Sequence, residues 1–447
     1  MASLNSMPAE LLELIISNVE CTYDRLSLLR VCQRLYQALR PTIYKSVRIL
    51  PAHPKALKSL VLTFLENPTL AQETRELDLS TLSAKFWGDE LRRERDKLYG
   101  KDWGFSEDDR RVFGANNHFH SQIWMDRLQE GNPEAFLALL VVSLPNLEKL
   151  SFVLPYSFEE NRELIQPRGY LETALVQAAA KVPPFDASPR LTRLSSLAIV
   201  THPVLKGVSV DHCSPWLLLT FPSLRHLSID NWCYGDATTI RPVPCSNITH
   251  IRIHNGATED GLYYLLSACP NLISFNYTDG PNFSLTGMLW LRSKRTPLPL
   301  EALRLDFTKS WLKPSDSYTI CGLADLRILR FLHIDEYTLL ERTERNPDDP
   351  KLVSMLPSSL ESLHVVSIRP QEKQTFFDQL RTLASMAKDR FPSLHRIALT
   401  GKGDVECEIP QGVLIACQDA GISCISTVDC HCFEGYSGGI EFDRLYV

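Results

Sequence analysis

The chain has 447 residues, 44% hydrophobic and 22% charged, with a formal charge of -6 at pH 7 and a pI near 6.1. That length exceeds what a single compact core usually supports, so several domains or an extended, repeated architecture is expected. The acidic balance argues against a general polyanion binder, whose footprint is a basic excess, and no stretch approaches the roughly 18 to 20 apolar residues of a membrane span.

The opening MASLNSMPAELLELIISNV predicts a helix from Met7 to Val19. At about 100° per residue, Met7, Leu11, Leu12, Leu14, Ile15, Ile16 and Val19 cover roughly 200° of its circumference, and one core needs little more than half of that. A polar link follows, and then Leu28, Val31, Cys32, Leu35 and Leu39 at helical spacing, with Pro41 expected to end the run. Together, MPAELLELIISNVECTYDRLSLLRVCQRLYQAL resembles an F-box, the three-helix module that docks the Skp-type adaptor of SCF ubiquitin ligases. Met7-Pro8-x-Glu10-Leu11 stands where that family has Leu-Pro-x-Glu-Leu or Ile, with Met7 replacing the usual Leu. Ile15 and Ile16 match its apolar pair, and Val31-Cys32-x-Arg34-Leu35 matches its Val-Cys-x-Arg-aromatic or Leu stretch, while the link before Asp24 is longer. The resemblance implies an F-box over residues 1–45, with Met7, Pro8, Glu10, Leu11, Ile15, Leu28, Val31, Cys32 and Leu35 binding the adaptor. The alternative is an amphipathic cap over a first repeat. A cap presents a polar outer face, whereas here the apolar residues run well past one face.

Residues 46–140 read as a linker with an irregular first repeat, TRELDL from Thr74, and a charged insertion. That insertion carries the charge run of DELRRERDK and EDDRR, which reads first as a solvated helix face, and the aromatic-bearing stretch NNHFHSQIWMDRL.

From Leu147 onward the unit L-x-x-L-x-h, where h is apolar, recurs. The copies are LEKLSF, LSSLAI from Leu194, LRHLSI from Leu224, ITHIRI from Ile248, LISFNY from Leu272, LEALRL from Leu300, LRILRF from Leu326, LESLHV from Leu360 and LHRIAL from Leu394. Each ends in a short alternation that predicts a strand with one buried face. Pro145, Pro222, Pro270 and Pro392 stand two residues before an anchor, where proline halts a preceding helix. In TEDGLYYLLSACPNL, Thr258 can cap a helix whose Leu262, Leu265, Leu266 and Cys269 share one face. A strand and helix of this size cannot bury their apolar faces alone, so neighbouring units must stack. The copies resemble leucine-rich repeats of the irregular, helix-backed kind, without their regular Asn or Cys ladder. The stretches IYKSVRI and LALLVVSLPNLEKLSF make the whole similar to fungal F-box proteins with degenerate repeats.

The implied fold class is α/β: an N-terminal three-helix F-box followed by an irregular leucine-rich-repeat solenoid over residues 141–425. It would be a horseshoe with parallel strands on the concave face and helices on the convex face, closed by a cap or tail at 426–447. A doubly wound sheet of βαβ units would also alternate strands and helices, but it does not require a recurrent leucine register. ERTERNPDDPK, from Glu341, reads as an exposed loop.

Catalytic motifs are weak. GYSGG at Gly435 matches the nucleophile-elbow pattern, but no histidine follows it, and there is no phosphate loop or H-E-x-x-H. Cys424, Cys430, His431 and Cys432, with Cys407 and Cys417 upstream, lack a C-x2-C pair, so they read as thiols of the last repeats, with no metal and no cofactor expected. The first basic residue is Arg25, and Glu10 and Glu13 interrupt any signal-like apolar run. A cytosolic or nuclear setting is therefore expected, with the twelve cysteines reduced and the sequons at Asn247, Asn276 and Asn282 unglycosylated.

The resemblances imply a non-catalytic substrate receptor of an SCF-type ubiquitin ligase. Its F-box would bind a Skp-type adaptor and, through it, a cullin, while its repeats recruit a protein target, with no nucleic acid or membrane partner. The alternative is a repeat scaffold unconnected to ubiquitin. The outward strand positions are expected to align Arg252, Arg304, Arg330 and His364, with His226 and His250 two residues earlier along their strands and His254 two residues later. Such a surface suits an acidic or phosphorylated segment, since guanidinium pairs bidentately with carboxylate and phosphate, although a solvated sheet face is the plainer reading.

Overall fold

The computed structural model describes residues 7–19, 27–28, 30–49, 54–80, 106, 108–109, 122–153, 170–182, 185, 190–200, 219, 221–230, 246–254, 259–278, 299–306, 323–336, 339, 352–368, 373–401 and 407–426. DELRRERDK, ERTERNPDDPK, GYSGG and the Cys430-His431-Cys432 run lie outside the described residues. The chain divides into two compact units, Met1–Lys206 with His212–Leu224, and Gly207–Asp211 with Arg225–Val447. No helix among the described residues is long and apolar enough to cross a membrane.

In the first unit, α1 (Ala9–Ser17) packs on α2 (Gln33–Lys45). Buried Leu12 and Leu35 form a small core there with Met7, Leu28, Cys32 and Ile43. Two details differ from the sequence reading. Cys32 is extended (φ -160°, ψ 160°) and caps α2 through Sγ, which accepts the Leu35 N–H at 3.5 Å, so Leu28 and Val31 precede this helix instead of belonging to it. Pro41 does not end α2, which runs on to Lys45. An interior proline costs about 3 kcal/mol. The turn beyond it returns contacts, with Ile43 in the small core and Tyr44 edge-on to Phe64 at 5.9 Å.

The chain then alternates β1 (Ser46–Arg48), α3 (Pro54–Glu66), α4 (Pro68–Glu73), β2 (Glu76–Leu79), α5 (Gln122–Gln129), α6 (Pro133–Val142), β3 (Lys149–Val153), α7 (Tyr170–Ala180) and β4 (Ser196–Val200). The four strands pair in parallel and in chain order. TRELDL is a true repeat, with Thr74, Leu77 and Leu79 buried. The charge run itself lies almost entirely outside the described residues, while α5, in the aromatic-bearing stretch that follows it, buries Trp124 and Leu128. The apolar run of α6 is buried throughout, and its N-terminus is capped by Asn132, whose Oδ1 accepts the Glu134 and Ala135 N–H groups at 2.9 and 3.2 Å. Asn132→Ala is expected to destabilise this unit by about 1 kcal/mol, read by urea denaturation, while Asn132→Asp retains most of the stability.

The second unit carries β5 (His226–Asp230), β6 (His250–His254), α8 (Glu259–Ala268), β7 (Ser274–Thr278), β8 (Ala302–Asp306), a 3-10 turn (Leu323–Asp325), β9 (Phe331–Asp335), α9 (Leu352–Met355), β10 (Ser362–Ile368), α10 (Lys373–Ser385), α11 (Ala387–Arg390), β11 (Arg396–Gly401), α12 (Gln411–Ala420) and β12 (Ser423–Ser426). These strands also pair in parallel and in chain order, and that order does not reverse, as a doubly wound sheet requires. Helix α8 is the one read from TEDGLYYLLSACPNL, with Leu262, Leu265, Leu266 and Cys269 buried, and it stops just before Pro270.

One backbone device recurs. In most units the residue after the first anchor uses its carbonyl oxygen to accept two N–H groups from the next unit. Arg75 takes those of Glu148 and Lys149, Glu301 those of Arg330 and Phe331, Arg330 those of Glu361 and Ser362, and Glu361 those of His395 and Arg396, all at 2.7 to 3.3 Å.

This device also corrects the register of one copy. The repeat read as LRILRF from Leu326 is LRFLHI from Leu329, with Leu329, Leu332 and Ile334 fully buried. His333, not Arg330, pairs with Arg304 and His364 across the sheet.

Candidate functional site

Two surfaces carry the residues singled out from the sequence. The first is the flank of α1–α2 turned away from the small core. Leu12 fills the core from one side of α1, which leaves Leu11 (48% exposed), Leu14 (59%) and Ile15 (45%) to solvent. Val31 is 61% exposed in the turn before α2, Tyr36 is exposed on α2, and Arg40 lies over the Tyr36 ring at 5.9 Å. Asn18 holds the end of α1, its Nδ2 donating to the Leu14 carbonyl at 2.8 Å. The nine adaptor residues implied by the resemblance therefore divide. Pro8, Glu10, Leu11, Ile15 and Val31 are exposed, whereas Met7, Leu28, Cys32 and Leu35 belong to the core that supports them. Leu14 and Tyr36 were not singled out. Leu14 lay in the apolar arc of α1, and Tyr36 had no periodic signal.

The second surface is the outward face of β5–β11. Its central row runs Ser228, Arg252, Asn276, Arg304, His333, His364 and Ala398. Over β5–β8 this face is half-exposed. His226 and His250 stack there with ring centroids 4.5 Å apart, and burial lowers the His250 pKa against an opposing pull from Glu301. His254 lies two positions beyond Arg252, and Arg304 Nη2 is 3.7 Å from Asp306 Oδ2.

Over β9–β11 the same face is buried. His333 (0% exposed) meets His364 (1%) edge-on at 4.4 Å, and His364 Nε2 hydrogen-bonds Thr400 Oγ1 at 2.9 Å. Burial, with the Arg304 charge beside it, pushes His333 well below the ordinary histidine range and takes His364 down to about 4. Two members of the expected cationic row are therefore corrected. His364 is buried and neutral at pH 7. Arg330 lies before β9, paired bidentately with Glu361 (2.7 and 3.0 Å) and 3.6 Å from Glu301. Arg330 is solvent-exposed, so Arg330→Ala is expected to leave the midpoint of thermal unfolding essentially unchanged. His226, His250, Arg252, His254 and Arg304 remain together.

Among the described residues no group of three or more His, Cys, Asp or Glu is arranged to hold a metal ion.

Parallel strands added one per repeat, with buried first anchors and a recurring backbone clamp between neighbours, define a leucine-rich-repeat stack. The family model of the leucine-rich repeat domain matches residues 52–436, and the chain belongs to that family. Such domains are protein-interaction modules, typically without catalysis of their own. The match begins after α1–α2. No curated protein matches the chain.

Proposed function

We propose that the protein is a substrate-receptor subunit of an SCF-type ubiquitin ligase. In this reading α1–α2 dock a Skp-type adaptor and, through it, a cullin, while the repeats hold a protein target in the cytosol or nucleus. The observation that carries it is the set of exposed apolar side chains Leu11, Leu14, Ile15, Val31 and Tyr36 around a separate small core, among them the F-box-like positions Leu11, Ile15 and Val31. A cap over the first repeat would leave those positions polar. The subunit performs no bond chemistry. It raises the effective concentration of target lysines near a charged ubiquitin-conjugating enzyme.

Affinity capture of the full chain tests the reading. Recovery of a Skp-type adaptor together with a cullin supports it; recovery of repeat-bound proteins with neither returns the protein to an interaction scaffold.

The half-exposed face of β5–β8 is the proposed target surface. Arg252 and Arg304, flanking Asn276, suit an acidic or phosphorylated segment. Arg304→Glu is expected to weaken a captured target about tenfold or more, by reversing one charge-assisted contact. Unchanged capture would place the target elsewhere.

A further inference from the structure

The last repeat departs from the others in its core chemistry. Cys424 on β12 pairs in register with Ile397 on β11, at the end of a column that includes Leu303, Leu332 and Leu363. The strands β5–β11 each put a hydrocarbon at that inward position, and β12 puts a thiol. Facing it from α12 is Cys417, fully buried, and the two thiols hydrogen-bond to each other. The connection that brings them together is short and well fixed. Gly421 takes the left-handed conformation (φ 79°) that ends α12, its N–H donating to the Gln418 carbonyl at 3.0 Å, and the Ile422 N–H donates to the Cys417 carbonyl at 2.8 Å. Cys407 lies beside the pair, its N–H donating to Ser426 Oγ at 2.7 Å.

We propose that Cys417 and Cys424 are an oxidant-sensitive dithiol whose reversible disulfide ties α12 to β12. Buried structural cysteines are ordinarily inert because burial disfavours the thiolate. Here the arrangement opposes that. The Cys424 S–H donates to Cys417 Sγ, which pulls the Cys417 thiol below its ordinary range and holds Cys424 above its own. Cys424 stands on β12, the last strand in the sheet order, and is only part-buried.

With hydrogen peroxide as oxidant, the Cys417 thiolate attacks one peroxide oxygen. The O–O bond breaks, the departing hydroxide takes up a proton to leave as water, and a sulfenic acid remains on Cys417. Cys424 sulfur then attacks the Cys417 sulfur, the S–S bond forms and a second water leaves. Two thiols and one peroxide give one disulfide and two waters, and a dithiol reductant reverses the bond. The site does not depend on the adaptor reading.

Peptide mapping of the reduced full-length protein tests the proposal. After peroxide treatment, quenching with iodoacetamide in denaturant and digestion without reductant, the expected product is a peptide pair joined through Cys417 and Cys424. It is two hydrogens lighter than its parts and is lost on adding dithiothreitol. Cys407→Ser keeps it and Cys424→Val removes it, while amide exchange over residues 411–426 of the oxidised wild type slows about tenfold. Full alkylation of both thiols after oxidation, or a bridge running instead through Cys407, Cys430 or Cys432, overturns it. The wild-type map decides this even if a variant folds poorly.

Discussion

Replacing Leu11 and Ile15 together by glutamate is expected to weaken adaptor binding about a hundredfold or more, while the melting of the repeats stays unchanged. Both side chains are roughly half-exposed in the free protein, so two surface charges cost the fold little. In a desolvated interface the same carboxylates lose their water with no partner supplied. Leu12→Ala is the contrasting control. Its side chain fills the small core with Leu35, so the expected loss is about 2–5 kcal/mol of local stability, seen as early amide exchange in α1 and α2. Surface titration of the double glutamate variant against purified adaptor separates the two cases. Undiminished binding would remove α1 from the interface and leave the cap reading standing.

The second large effect is expected in acid. His364 is neutral in the fold with its pKa near 4, held there first by burial and then by the Arg304 and Arg396 charges, against Asp306. Unfolded, it takes a proton near pH 6.5. Between those values the unfolded chain binds more protons, so stability is complete above about pH 6.5 and falls as the pH drops toward 4. The shift corresponds to about 3 kcal/mol at most for His364, and His333, lowered by burial as well, acts in the same direction. Chemical denaturation at a series of pH values reads the slope. His364→Gln, which can still hydrogen-bond Thr400, should flatten it between about pH 6.5 and 4.5, and an unchanged slope would assign the acid loss to carboxylates.

Most of the repeat architecture was legible because each unit must bury two leucines and one further apolar residue at fixed spacing. One copy shows where that signal divides. LRILRFLHI contains two overlapping copies of the same spacing, one from Leu326 and one from Leu329, and side-chain type cannot choose between them. The fold chooses the second, which places the anchor more evenly between Leu300 and Leu360 and puts His333 on the sheet. The strand β12 escaped notice for a different reason: GISCIS has no leucine, and its register is set by pairing with β11.

At the N-terminus the apolar arc announced a helix with a spare side, but not which residues would be spare. That division depends on where α2 crosses α1, information that lies in tertiary packing. Likewise a histidine at an outward strand position reads as solvent-facing. Only the fold shows that the outward side is covered over β9–β11 and open over β5–β8.

The paired acceptance of two N–H groups by one carbonyl has an evolutionary consequence. Where it occurs it fixes a unit to its predecessor at a single point just before the strand, so the length of chain between clamps is free to drift. The long interval that follows Leu147 and the short one that follows Ile248 coexist without a register slip. Loops can therefore be lengthened, exchanged or recoded for new partners while the frame that carries them goes on unaltered.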